Sequence, residues 1–308
     1  MRRIRRSVAP VGPDAQRELR ITADGASAGA RWRGPNLGGR VDPAGPPQPK
    51  VNLTAASTRH TRGAFVLAAP MFRALLFSLM LALSAAPAVA LVETRVLPLA
   101  GQTTVVDVYT PAVAPPRAIA VIAHGFTRSR AQHVRLAEGL AVAGFLVAVP
   151  DLPHAIRHKA NANAIVALVA AIVAERKPDT LPVVLIGTSA GGPAALLATD
   201  RVPQLALWIG LDPVDAFGQS RRIAHKLRVP AVILRAPNGA CNVAGSARRI
   251  AAWLPNRRME RRIGGTSHCD FEDSTDWRCE SICCPADTAR QALIVTETIK
   301  MAREAVPE

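Results

Sequence analysis

Aromatic side chains are scarce in this 308-residue chain: one Tyr, four Trp and seven Phe, about 4% of residues. Nucleic-acid platforms stack bases on aromatics set among Lys and Arg. No such interleaved stripe is present, so nucleic acid is not an expected partner despite a formal charge of +15. Acidic residues are also few, 23 against 38 Lys and Arg, and the imbalance is local. Residues 1–70 hold 12 basic and 4 acidic groups, so +8 of the +15 belongs to that segment. No apolar run reaches the roughly 20 residues that a spanning helix needs. Cysteine is sparse as well, at five. Cys279, Cys283 and Cys284, taken with His268 and Cys269, do not have the spacing of paired zinc knuckles, so no metal and no cofactor is expected. There is no internal repeat.

Residues 1–70 contain Arg2-Arg3-Ile4-Arg5-Arg6, Gly34-Pro35, Gly38-Gly39 and a proline-rich stretch at 43–49, without sustained periodicity. Such a composition buries too little apolar surface to order itself. At Met71 the character changes. Met71-Phe72-Arg73 is a short positive start, residues 74–83 are apolar, and residues 84–90 end in a small-x-small site at Ala90. This is the form of a signal peptide. The expectation is that translation starts at Met71, that residues 1–70 are an upstream over-extension, and that a secreted or periplasmic chain begins near Leu91 with no stable membrane anchor. A rival reading keeps residues 1–70 as a basic segment that binds polyanions at the envelope.

Residues 91–308 have the length of one α/β domain. Residues 92–97 and 103–109 alternate like an antiparallel pair. Further strands are expected at 118–123, 145–149, 181–186, 205–211, 229–235 and 259–263, with helices at 130–143, 161–176, from Pro193, at 243–253 and at 286–303. Strands alternating with helices imply a mostly parallel sheet flanked by helices on both faces.

Gly187-Thr188-Ser189-Ala190-Gly191 lies where a strand turns sharply into a helix. A serine in G-x-S-x-G at such a turn is raised above the sheet edge, and its small neighbours let strand and helix pass closely. Ser189 is the candidate nucleophile. A hydroxyl needs a base, normally a histidine oriented by a carboxylate, and the order Ser, acid, His suits this architecture. His268 follows the last expected strand and is the candidate base; His225, His154, His158, His133 and His60 are read as surface or loop residues. Asp212 follows the strand at 205–211 and is the candidate acid, with Asp215 as substitute and turn capping before Pro213 as a competing role. The loop at 235–242 has no carboxylate. An oxyanion would be held by the backbone N–H of Ala190 and of Phe126, with Thr127 as a further candidate donor and His124 shaping the loop.

These segments resemble α/β-hydrolases of the chlorophyllase-like and polyesterase/cutinase-like groups over nearly all of residues 91–308. Gly210-Leu211-Asp212-Pro213-Val214-Asp215 is similar to the chlorophyllase pattern, which implies that Asp212 is the acid. His124-Gly125-Phe126-Thr127 and Gly265-Thr266-Ser267-His268-Cys269 resemble the oxyanion and histidine loops of polyesterases. The cysteines favour disulfides in an exported domain. A Cys241–Cys269 bridge would tie two loops of the site together and resembles one found in some polyesterases; Cys279, Cys283 and Cys284 then allow one short bridge and leave a thiol over. The expected activity is hydrolysis of a small-molecule or polymeric carboxylic ester. The alternative is a catalytically silent hydrolase fold that binds a ligand or partner, which the missing carboxylate at 235–242 favours.

Overall fold

The computed structural model describes residues 90–112, 115–176 and 180–306. The expectations for residues 1–70 and for the leader at 71–90, Ala90 apart, lie outside the described residues. Eight strands form one sheet in the order β1-β2-β4-β3-β5-β6-β7-β8. The strands are β1 (Leu91–Leu99), β2 (Gln102–Thr110), β3 (Ala118–Ala123), β4 (Phe145–Pro150), β5 (Val183–Thr188), β6 (Leu205–Leu211), β7 (Ala231–Arg235) and β8 (Arg257–Arg262). β1 and β2 form an antiparallel hairpin and β2 runs antiparallel to β4; from β4 through β8 the pairing is parallel.

The central strands Ala-Ile-Ala-Val-Ile-Ala (β3), Phe-Leu-Val-Ala-Val-Pro (β4) and Val-Val-Leu-Ile-Gly-Thr (β5) are buried at every position. Continuous apolar runs are what a strand covered on both faces requires. On one face α2 (His158–Glu175), α3 (Gly191–Ala198) and α5 (Ser246–Trp253) pack through Ile165, Leu168, Leu196 and Ile250. On the other, α1 (Val134–Val142) and α7 (Thr288–Glu304) pack through Leu136, Leu140, Ile294 and Met301. The outer strand β8, Arg-Arg-Met-Glu-Arg-Arg, is largely exposed, and its charges guard the sheet edge. A short α4 (Arg221–Ala224) and α6 (Trp277–Cys283) complete the helices.

Most expected elements are present with shifted ends. The helix expected over 130–143 opens as a 3-10 turn, Arg130–His133, capped by Ser129 and Gln132. The helix expected at 243 starts only at Ser246, because Val243, Ala244 and Gly245 all take positive φ (50°, 52° and 91°) in a turn held by the Asn242 side chain. α2 begins three residues early, at His158. α6 was not foreseen: none of its side chains is buried, so it has no apolar stripe to read.

Candidate active site

Ser189 follows β5 with φ of 51°, a left-handed conformation unfavourable for any side chain but glycine. The turn is held by three bonds: Ser189 N–H donates to Leu211 O (3.0 Å), and Ser189 O accepts from Gly192 N (3.0 Å) and Val214 N (2.9 Å). A Cβ on Gly187 would strike the Gly191 backbone, and one on Gly191 would strike Ala123 O. The two glycines of G-x-S-x-G are therefore imposed by backbone approach.

Asp212 follows β6, is fully buried, and has φ of 39°. Its N–H donates to Leu234 O (2.7 Å), anchoring it to β7. His268 opens a 3-10 turn after β8, capped by Ser267 and Asp270. These loops bring three side chains into line. His268 Nδ1 lies 2.6 Å from Asp212 Oδ2, and His268 Nε2 lies 2.9 Å from Ser189 Oγ. A carboxylate accepts only, so Nδ1 carries a proton and Nε2 is left with its lone pair toward the serine hydroxyl. Asp212 also accepts from Ala236 N (3.2 Å) and Asn242 Nδ2 (3.3 Å). The loop that lacks a carboxylate thus supplies Asn242, which steadies the carboxylate of the preceding loop.

Asp215 lies elsewhere: its oxygens accept from Gln219 N, Ser220 N and Ser220 Oγ, which fastens the turn before α4. The Asp212 carboxylate accepts from Ala236, Asn242 and His268, and among the described residues from no N–H of the turn at Pro213. The loop after β3 passes close to Ser189, since a Cβ on Gly125 would lie 3.1 Å from Ser189 Cβ. Neither the Phe126 nor the Ala190 N–H donates to a backbone acceptor among the described residues. Thr127 Oγ1 donates to Phe126 O (2.7 Å). His124 Nδ1–H donates to Gly125 O (2.8 Å) and its Nε2 accepts from Leu152 N (2.7 Å), so both ring nitrogens are consumed in loop shaping. Burial lowers its pKa, consistent with a neutral ring.

Three features escaped the sequence. Arg128, on the loop after β3, forms a two-pronged pair with Glu272 (2.7–3.0 Å) and reaches Asp276 (2.8 Å); Arg128 and Glu272 are both about 6% exposed. This clamp joins the candidate oxyanion loop to the histidine loop. Burial raises the Glu272 pKa, and Arg128 opposes the rise. Second, His133 and His158 are buried, 1% and 3% exposed, which corrects the surface reading; each begins a helix or sits just before one, where sequence position alone mimics a loop. His60 lies outside the described residues. Third, the disulfides are Cys241–Cys283 and Cys269–Cys279, with Cys284 exposed and free, which corrects the expected Cys241–Cys269 bridge. Both site loops are tied to α6 rather than to each other. The Cys269, Cys279 and Cys283 sulfurs lie within 4.8 Å of one another but are all consumed in disulfides, leaving no thiolate there for a metal.

Comparison with protein-family models and with curated proteins finds no match. Among solved structures, the chain is similar to a dienelactone hydrolase from Anabaena variabilis ATCC 29413, at 18% identity and a TM-score of 0.54, covering 70% of this chain and 96% of that one. It is also similar to Est1E from Butyrivibrio proteoclasticus, at 15% identity and a TM-score of 0.52, covering 68% of this chain and 99% of that one. The chain has the α/β-hydrolase fold. In this hydrolase fold Ser189, Asp212 and His268 stand at the carboxyl ends of the strands, where ligands of open α/β sheets bind. A cavity of about 440 Å³ opens there, lined by Phe126, Ile156, His158, Val214, Phe217 and Ile282 together with Ser189 and His268. A larger cavity, about 780 Å³, lies at the opposite end of the strands near Leu205, Val229 and Asn256, away from all three residues.

Proposed function

We propose that residues 91–308 form an exported serine esterase that cleaves carboxylic esters through an acyl-enzyme. The observation that carries this reading is the unbroken hydrogen-bond line from Asp212 through His268 to Ser189 beside an open, mostly apolar cavity. Ser189 Oγ attacks the ester carbonyl carbon while His268 Nε2 takes its proton. The oxyanion accepts hydrogen bonds from the Phe126 and Ala190 N–H groups. Collapse breaks the bond to the leaving oxygen, which departs as the alcohol with the proton from Nε2. A water, deprotonated by His268, then attacks the acyl carbon, and the acid leaves as Ser189 is reprotonated. Asp212 holds the Nδ1–H tautomer and offsets the charge on the imidazolium. The steps need neither metal nor cofactor.

A panel of aryl and alkyl esters tests this. Ser189→Ala is expected to lose about four to six orders of magnitude in kcat. Wild-type turnover in that variant would defeat the assignment. The two disulfides and the leader-like stretch at residues 71–90 support export. The native polypeptide is then expected to begin near Leu91, and peptides from residues 1–70 in it would overturn that part.

A further inference from the structure

Eight buried side-chain polar atoms have no hydrogen-bond partner among the described residues. Interiors rarely leave such atoms unpaired, because each loses its hydration without compensation. Of the residues concerned, His158 is the one that lines the Ser189 cavity. It opens α2 and is 3% exposed; its Nδ1 is sealed, out of reach of any ligand, whereas its Nε2 is not sealed and makes no hydrogen bond among the described residues.

The other polar side chains of that wall are paired or exposed. Arg128 and Glu272 pair with each other, Ser189 pairs with His268, and Thr127 Oγ1 bonds Phe126 O. Arg278 is exposed, its guanidinium resting over the Trp277 ring. The neighbouring Asp215 does not claim the imidazole, since its oxygens accept from Gln219 N, Ser220 N and Ser220 Oγ. Burial lowers the His158 pKa, against a smaller opposing pull from Asp215, so the ring is neutral and offers one N–H and one lone pair. A neutral imidazole without a partner, set in a wall otherwise built from Ile156, Val214, Ala216 and Phe217, is what a substrate group would complete.

We propose that His158 is the polar anchor of the cleft, and that the ester this site takes carries, on an otherwise apolar acyl or alcohol portion, a hydroxyl or carbonyl oxygen that hydrogen-bonds His158 Nε2. This rests on the esterase reading above. An all-carbon ester that fills the cleft displaces water from Nε2 and gives it no partner in exchange, and the transition state for its cleavage is correspondingly less stabilised.

The test compares kcat/KM for p-nitrophenyl hexanoate with hydroxy- and oxo-hexanoates in which the oxygen is moved along the chain, and for hexyl acetate with the matching hydroxyhexyl acetates. At least one oxygenated ester is expected to exceed its parent by about tenfold or more in the wild type. That ratio falls toward one in His158→Phe, and His158→Leu repeats the result should the larger ring fail to fold. A wild-type ratio near one along both series overturns the proposal, whatever the variants do. So does a high ratio that survives in either folded variant. Failure of a fluorophosphonate to label wild-type Ser189 would instead sink the esterase reading itself.

Discussion

Replacing Arg128 with Met removes the positive member of a pair whose two side chains are each about 6% exposed. It deletes three hydrogen bonds to Glu272, at 2.8, 3.0 and 2.7 Å, and one to Asp276 at 2.8 Å. The Asp276 contact is open to water and contributes little. The cost comes from Glu272, left as a charge with no partner in a site where burial already favours the neutral carboxyl. Breaking a buried pair from one side costs about 3–5 kcal/mol, and for a domain of this size each kcal/mol lowers Tm by about 2–4 °C. The loss is smaller in acid, where Glu272 is protonated in the variant and the unpaired charge disappears. Guanidinium unfolding of wild type, Arg128→Met, Glu272→Met and the double variant, at pH 8 and pH 5, measures both effects. The double variant is expected to recover most of the loss, because two apolar side chains leave no stranded charge. Additive single effects, or a loss independent of pH, would refute the reasoning. Because the clamp joins the loop of Phe126 to the loop of His268, kcat is expected to fall in Arg128→Met even where the protein remains folded.

Other consequences follow from the same geometry. α6 has no buried side chain, yet its Cys279, Ile282 and Cys283 form cavity wall, so the disulfides hold it. Closing loops of 10 and 42 residues is worth about 3 and about 4 kcal/mol, and reduction with dithiothreitol is expected to lower both Tm and ester turnover; unchanged turnover in the reduced protein would show that α6 stays in place unaided. Burial lowers the His133 pKa from 6.5 to about 3. The unfolded chain therefore binds a proton that the folded chain refuses, and the contribution, present above pH 6.5, is lost as pH falls toward 3. At about 1.4 kcal/mol per pH unit this reaches about 5 kcal/mol at most. Stability of His133→Leu is expected to fall less between pH 7 and pH 4 than that of the wild type, by chemical denaturation, and parallel acid branches would contradict it. Asp212→Asn is expected to lower kcat by about four orders of magnitude through the wrong imidazole tautomer, whereas Asp215→Asn acts on stability through the Ser220 turn; the reverse pattern in steady-state kinetics would exchange their roles.

Much of the architecture was legible because the central strands are buried on both faces and so are written as unbroken apolar runs. That Ser189, Asp212 and His268 meet could be read in the sequence for a related reason. Ser189 and Asp212 directly follow strands and His268 lies on the loop after one, and strand ends that share an edge of a parallel sheet bring distant residues together. Contacts between loops are written in no such periodicity. Arg128 and Glu272 stand 144 residues apart, and neither shows by its spacing that it is buried with the other. The disulfide pairing was misread for want of α6, a helix fastened by its cysteines and carrying no apolar face. His133 and His158 read as surface residues because helix starts look polar, although tertiary packing closes over both rings.

The most direct measurement is intact mass of the folded protein after treatment with a fluorophosphonate, run beside Ser189→Ala. An activated serine attacks phosphorus and expels fluoride, so a single adduct is expected on the wild type, mapped to Ser189 and absent from the variant. No adduct on the folded wild type, or an adduct that persists in Ser189→Ala, would contradict the account.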